Sequence, residues 1–126
     1  MTQRLRPTLS VPTEQAALQA VADLHAAMSL RDLRRANLPS LYQSGVRYRR
    51  ESVGSEIWQL PTETARIGYG DCEDLAAWRC AELRLQGIPA RMQVRQVRAG
   101  LWHVTVKLPN GKTEDPSRRL GMKGPG

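Results

Sequence analysis

Apolar residues along the chain change their period twice. Ala17, Val21, Leu24 and Met28 recur at helical spacing, with Leu18 beside them, which predicts an amphipathic helix starting at Ser10 or Thr13. His25 lies on that helix, where a solvated or packed histidine is the ordinary expectation. A second short helix is expected from about Ser29, fading before Pro39. "GVRYRRES" alternates weakly and reads as an edge strand, and "WQLPTETARIGYG" reads as a loop. A helix from Cys72 to Gly87 is the clearest element: Leu75, Ala76, Cys80 and Leu83 share a face, while Glu73, Arg79, Glu82 and Arg84 reach water. Alternation then takes over. "ARMQVRQV" is a strand, "AG" a turn, "LWHVTVKL" a second strand, and "KTED" a short third strand closed by Pro116. On the second strand Trp102, Val104 and Val106 share one face, and His103, Thr105 and Lys107 the other. The order is that of an α+β domain, with N-terminal helices and a central cysteine-bearing helix packed on a small antiparallel meander. Residues 1–12 read as a flexible basic arm, 13–120 as one domain and 121–126 as a loose tail, the looseness setting in at "RRLGMKGPG".

Charge and cysteine usage narrow the chemistry. The 126 residues carry a formal charge of +7, which favours acidic partners. Nucleic acid is disfavoured: no recognition motif or aromatic stacking platform is present, and phenylalanine is absent. No stretch approaches the roughly 18 apolar residues of a membrane span, and no secretory signal opens the chain, so a cytoplasmic location is expected. Cys72 and Cys80 are two turns apart on one helix, about 12 Å in rise, so both should be free thiols. No Cys/His grouping has zinc spacing, and no metal or other cofactor is expected.

Cys72 is placed as a nucleophile would be. Asp71 can cap its helix, with Asp74 completing a capping box, and the helix N-terminus favours a thiolate. The nearby carboxylates oppose this unless they point aside. Gly68 and Gly70 would leave room for a substrate backbone. His103, on the polar face of its strand, supplies a base, and Asp115, just before Pro116, an orienting acid. Trp58, Gln59 and the Cys72 backbone N–H are candidate oxyanion donors.

Whether Asp115 reaches His103 depends on one turn. A two-residue Asn110-Gly111 turn would pair Val106 with Asp115 and put the acid on the wrong face. Pro109 lacks the N–H that such a turn needs at its closing pair. A three-residue loop, Pro109-Asn110-Gly111, pairs Leu108 with Lys112 and Thr105 with Asp115. His103 and Asp115 then share a face on a diagonal. This odd loop, a positive φ at Gly111, an Asp115–His103 hydrogen bond, and the other ring nitrogen facing Cys72 are the expected geometry.

Between Gly68 and about Ser117, with a looser match from Tyr42, the chain resembles the transglutaminase-like superfamily of papain-like cysteine enzymes, including bacterial transglutaminase-like cysteine proteinases. "GDCEDLA", "GIPAR", "WHVTV" and "DPS" carry the likeness. It implies a catalytic triad of Cys72, His103 and Asp115 on a minimal papain-like core. The activity implied is that of a cysteine protease or other hydrolase, or of an acyltransferase, working on amide bonds of a protein or peptide through a thioester. Residues from Gly54 to Ala76 also look like small transglutaminase-like proteins encoded among the assembly genes of tailed bacteriophages. That likeness implies a virion or assembly component instead, docked to neighbouring chains, with the triad active, vestigial or architectural.

Overall fold

A computed structural model of the chain describes residues 13–50 and 58–124. The expected arm at 1–12, the cap at Ser10, the end of the "GVRYRRES" segment and the last two residues of the tail lie outside the described residues. Helix α1 runs from Glu14 to Arg35, capped by Thr13, whose Oγ1 accepts the Ala16 N–H at 3.1 Å. It is one helix, not two, because neither glycine nor proline interrupts the chain before Pro39 and Ser29 is buried in the seam. The buried face is also rotated from the expected one. Ala22, His25, Ala26 and Ser29 face inward, while Leu24 is 54% and Val21 42% exposed. Small side chains let α1 lie close against the cysteine helix, which opposes them with Ala76, Ala77 and Cys80. Close approach decided the face, not the size of the apolar residues.

A 3-10 turn at Leu41–Gln43 leads to the two-residue strand β1, Arg47–Tyr48, which pairs in parallel with β2, Tyr69–Gly70. Helix α2, Pro61–Ile67, stands where a loop was expected. Its proline occupies the first turn, where the missing N–H costs nothing, and Glu63 suits the positive end. Gly68 ends it at φ 97°, a left-handed conformation that a side chain would strain.

Helix α3, Cys72–Leu85, is the centre of the molecule. One core lies between it, α1 and the sheet, and includes Ala26, Cys80, Val94, Val104 and Val106. A second lies on its other side, where Trp78 and Leu75 meet Leu41, Val46 and Leu120. With apolar groups on both sides, α3 has little polar face. Glu82, expected in water, is buried; it accepts the Leu41 N–H at 3.1 Å and pairs with Arg79 at 2.9 Å. Arg79 also binds Glu114 at 2.5 Å, and Glu114 accepts the Tyr42 hydroxyl.

Strands β3 (Arg91–Arg98), β4 (Leu101–Lys107) and β5 (Thr113–Glu114) form an antiparallel sheet in that order. The edge of β3 is covered by side chains rather than by another strand. Gln19 donates to Met92 O and accepts from Val94 N, and Gln15 donates to Val94 O. After β5 the chain is not loose as expected from Arg118. Helix α4, Pro116–Arg119, follows; Leu120 and Met122 are buried, and the Met122 N–H donates to Ser117 O at 2.8 Å. The architecture is the expected α+β arrangement, with the cysteine helix on a small antiparallel meander. Among the described residues no helix is long and apolar enough to cross a membrane.

Candidate active site

The hairpin register places the acid beside the histidine. Lys107 pairs with Thr113 and Val106 with Glu114, so Thr105 stands opposite Asp115. The Leu108 N–H donates to Lys112 O, the Gly111 N–H to Leu108 O, and Gly111 has φ 88°. This is the three-residue loop that proline at 109 requires. His103 Nε2 lies 2.9 Å from Asp115 Oδ2. Asp115 also caps α4, its Oδ1 accepting the Arg118 N–H at 3.3 Å. Burial pushes its carboxyl up, but His103, Arg118 and that N–H outweigh burial and hold it below the usual carboxylate range. An ionised Asp115 accepts from Nε2–H, which leaves the lone pair on His103 Nδ1. Nδ1 is buried and has no hydrogen-bond partner among the described residues, so no hydrogen bond joins it to Cys72.

The expected capping box forms at the start of α3. Asp71 Oδ1 accepts the Glu73 and Asp74 N–H groups at 3.1 and 3.2 Å, and Asp74 Oδ2 accepts the Asp71 N–H at 3.2 Å. Cys72 is free and half-buried, close enough to the Val104 N–H for that dipole to favour the thiolate. Position alone does not activate it. Burial first, then Asp71, pushes the thiol up to about 12, with Glu73 and Asp74 adding to the rise. The lowered pKa expected of a helix N-terminus is therefore reversed. The thiol is desolvated, and the carboxylates that serve the helix remain within electrostatic reach. Cys80 is fully buried in the core, as expected.

Two expected roles are taken up by structure. Gln59 Nε2 donates to Thr64 Oγ1 at 3.1 Å and to Tyr69 O at 3.0 Å, so both its side-chain N–H bonds are used and none is left for an oxyanion. Gly70 packs against Asp74 and Thr64, leaving a Cβ only 3.0 Å from Asp74 Cβ, so its small size serves internal packing and not a substrate backbone. Trp58 stacks on His25, ring centroids 4.8 Å apart. His25 is packed: Nε2 lies 2.9 Å from Gln59 O and 3.7 Å from Asp74 Oδ1, and burial lowers its pKa.

Tyr48, which no sequence signal links to Cys72, lies within electrostatic reach of the thiol. Its hydroxyl is held above its ordinary pKa by burial first and then by Cys72, with Asp71 and Asp115 also within electrostatic reach. It arrives through the parallel β1–β2 pairing, which no local pattern announces. Beside the thiol is a cavity of ≈ 60 Å³ bounded by Ala22, His25, Trp102 and Val104. Among the described residues no group of three or more His, Cys, Asp or Glu side chains could hold a metal ion.

The transglutaminase-like superfamily model matches residues 13–112. The chain therefore belongs to that superfamily. The match includes Cys72 and His103 and stops short of Asp115. Neither the curated proteins nor the solved structures contain a match to the chain.

Proposed function

We propose that the chain is a cysteine enzyme that opens amide bonds through a thioester, with Cys72 as nucleophile, His103 as base and acid, and Asp115 as the orienting carboxylate. The observation that supports it is the 2.9 Å His103–Asp115 hydrogen bond, on the strand that the Cys72 thiol meets at Val104. His103 Nδ1 takes the thiol proton as Sγ attacks the carbonyl carbon. The Cys72 N–H, at a helix start and so without an intrahelical acceptor, faces the oxyanion. His103 then returns the proton to the leaving nitrogen as the C–N bond breaks. Water or an amine attacks the thioester, gives its proton to His103, and the thiol is restored. Peptide hydrolysis and amide transfer use the same groups. Because burial holds the resting thiol protonated, activation depends on the histidine rather than on a stored thiolate.

Iodoacetamide labelling tests this. Cys72 should react at least ~10-fold faster than the fully buried Cys80 at pH 8, and its rate should climb with pH, roughly tenfold per unit, while the thiol remains protonated. Asp71→Asn keeps a good cap and removes the carboxylate that most opposes the thiolate, so it should speed labelling with little change in stability. His103→Ala should slow Cys72 labelling near neutral pH and abolish amide-bond cleavage. Equal rates at the two cysteines, or indifference to His103, would remove the nucleophile from the proposal.

The raised thiol and the lack of a Cys72–His103 hydrogen bond favour a second reading, a structural or assembly component on the same fold. Under that reading, Cys72→Ala and His103→Ala would both preserve assembly with neighbouring chains.

A further inference from the structure

The outer face of the sheet carries positive charge that no acid answers among the described residues. Arg91 on β3 stands directly opposite Lys107 on β4, and Arg95 directly opposite His103. Cross-strand partners share a face at close range, and like charges so placed are destabilising. Arg91, Arg95 and Lys107 are all exposed, and none makes an ion pair among the described residues. They border one groove of ≈ 540 Å³, which also takes in Gln15, Gln19 and Pro109, and among the described residues no carboxylate lines it. The nearest acid along α1 from Gln19, Asp23, is hydrogen-bonded to Gln19 instead. The groove therefore offers three cations with no ion pair among the described residues, one of them opposite the proposed catalytic histidine.

The geometry points to this groove as the docking site for an acidic peptide segment of the substrate, led by Arg95 toward His103. This assignment rests on the proposed amide-bond chemistry and names the substrate class for it. Two features favour a peptide. The groove follows strand β3, as an extended chain would. Among the described residues no aromatic side chain lines it for a base to stack on, which disfavours nucleic acid. A protein that keeps Arg91 against Lys107 accepts a stability cost, which an anionic partner would relieve.

The probe is a short fluorescein-labelled peptide of alternating glutamate and serine, titrated into full-length protein carrying Cys72→Ala so that binding is read without chemistry. It should bind at low salt and weaken steeply toward physiological salt. Reversal of all three cations (Arg91→Glu, Arg95→Glu, Lys107→Glu) should weaken it on the order of 10-fold, the sum of three exposed pairs. Reversal of Arg31, Arg34 and Lys123, which makes the same change in net charge elsewhere, should leave it within about twofold on the same grounds. Arg91→Glu alone should weaken binding without lowering Tm, because it turns a like-charge cross-strand pair into an opposite one. The assignment is overturned if both triple variants lose binding equally, if neither does, or if single-stranded DNA of matching length binds more tightly through the same three residues. Iodoacetamide labelling of Cys72 in protein that retains the thiol separates the two proposals. An inert Cys72 with intact peptide binding counts against the chemistry alone; a reactive Cys72 without peptide binding counts against the groove alone.

Discussion

Trp78→Ala should cost about 3–5 kcal/mol, the usual cost of emptying a buried aromatic site. That is a large share of the roughly 5–15 kcal/mol that holds a domain of this kind together. Trp78 is fully buried on the side of α3 away from the sheet, where Leu41, Val46, Leu75 and Leu120 surround it. Those residues come from three stretches of chain, the segment from Leu41 to Val46, α3 itself and the end of α4, so no single segment can collapse into the space left behind. Trp78→Phe should lose far less. The indole N–H is buried with no hydrogen-bond partner among the described residues, so removing it also removes an unmet donor. Urea denaturation reads both variants. A small loss for alanine would mean that the second core is not well packed, and an equal loss for both would mean that the indole N–H has a partner.

The second large effect concerns pH. Asp74 is buried at the start of α3, and burial first, then the Asp71 carboxylate, holds its carboxyl well above the usual range. Between the ordinary carboxylate range and its raised value, the folded protein keeps a proton that the unfolded chain releases. More protons in the folded state mean that stability falls as pH rises. Asp74 should therefore contribute a decline of up to about 1.4 kcal/mol per pH unit from pH 5 upward. Asp74→Asn retains an oxygen for the Gln59 N–H, gives up the bond that Oδ2 accepts from the Asp71 N–H, which lowers its stability by a constant amount, and cannot titrate. Stability curves from pH 5 to 8 should thus converge or cross, with the wild type losing ground to the variant. Parallel curves would mean that Asp74 is ionised in the folded protein. Asp115 acts in the opposite sense: its lowered pKa contributes stability above the ordinary carboxylate range, and this is lost as pH falls through its folded value.

Much of the fold and site could be read because the signals are local. Asp71 and Asp74 flank Cys72 within one turn, so the capping box follows from spacing alone. Pro109 lacks an N–H, and that absence selects the loop that carries Asp115 to the His103 face, where the 2.9 Å contact lies. Strand alternation separated His103 from Val104 and Val106 for the same reason, since side chains on a strand alternate strictly. Helix α2 was also within reach of local signals; Pro61 and Glu63 mark its start, and reading proline only as a breaker concealed it.

Tertiary packing decided the rest. The inward face of α1 was set by how closely two helices could approach, so Ala22, Ala26 and Ser29 were buried and Leu24 left out. Helix α3 has cores on both sides, and that is why Trp78 and Glu82 are inside and Arg79 is half-buried. Tyr48 comes within electrostatic reach of Cys72 across a parallel pairing of Arg47 with Tyr69 and Tyr48 with Gly70, segments distant in sequence. The state of the Cys72 thiol could not follow from its place in the chain. A helix start favours the thiolate locally, but desolvation and the carboxylate field depend on everything packed around the sulfur, and here they prevail. The sequence by itself determined the faces on which His103 and Asp115 lie, because turn length and side-chain alternation are local. Only the tertiary structure decided their burial, their protonation and their neighbours, because those depend on groups distant in the chain.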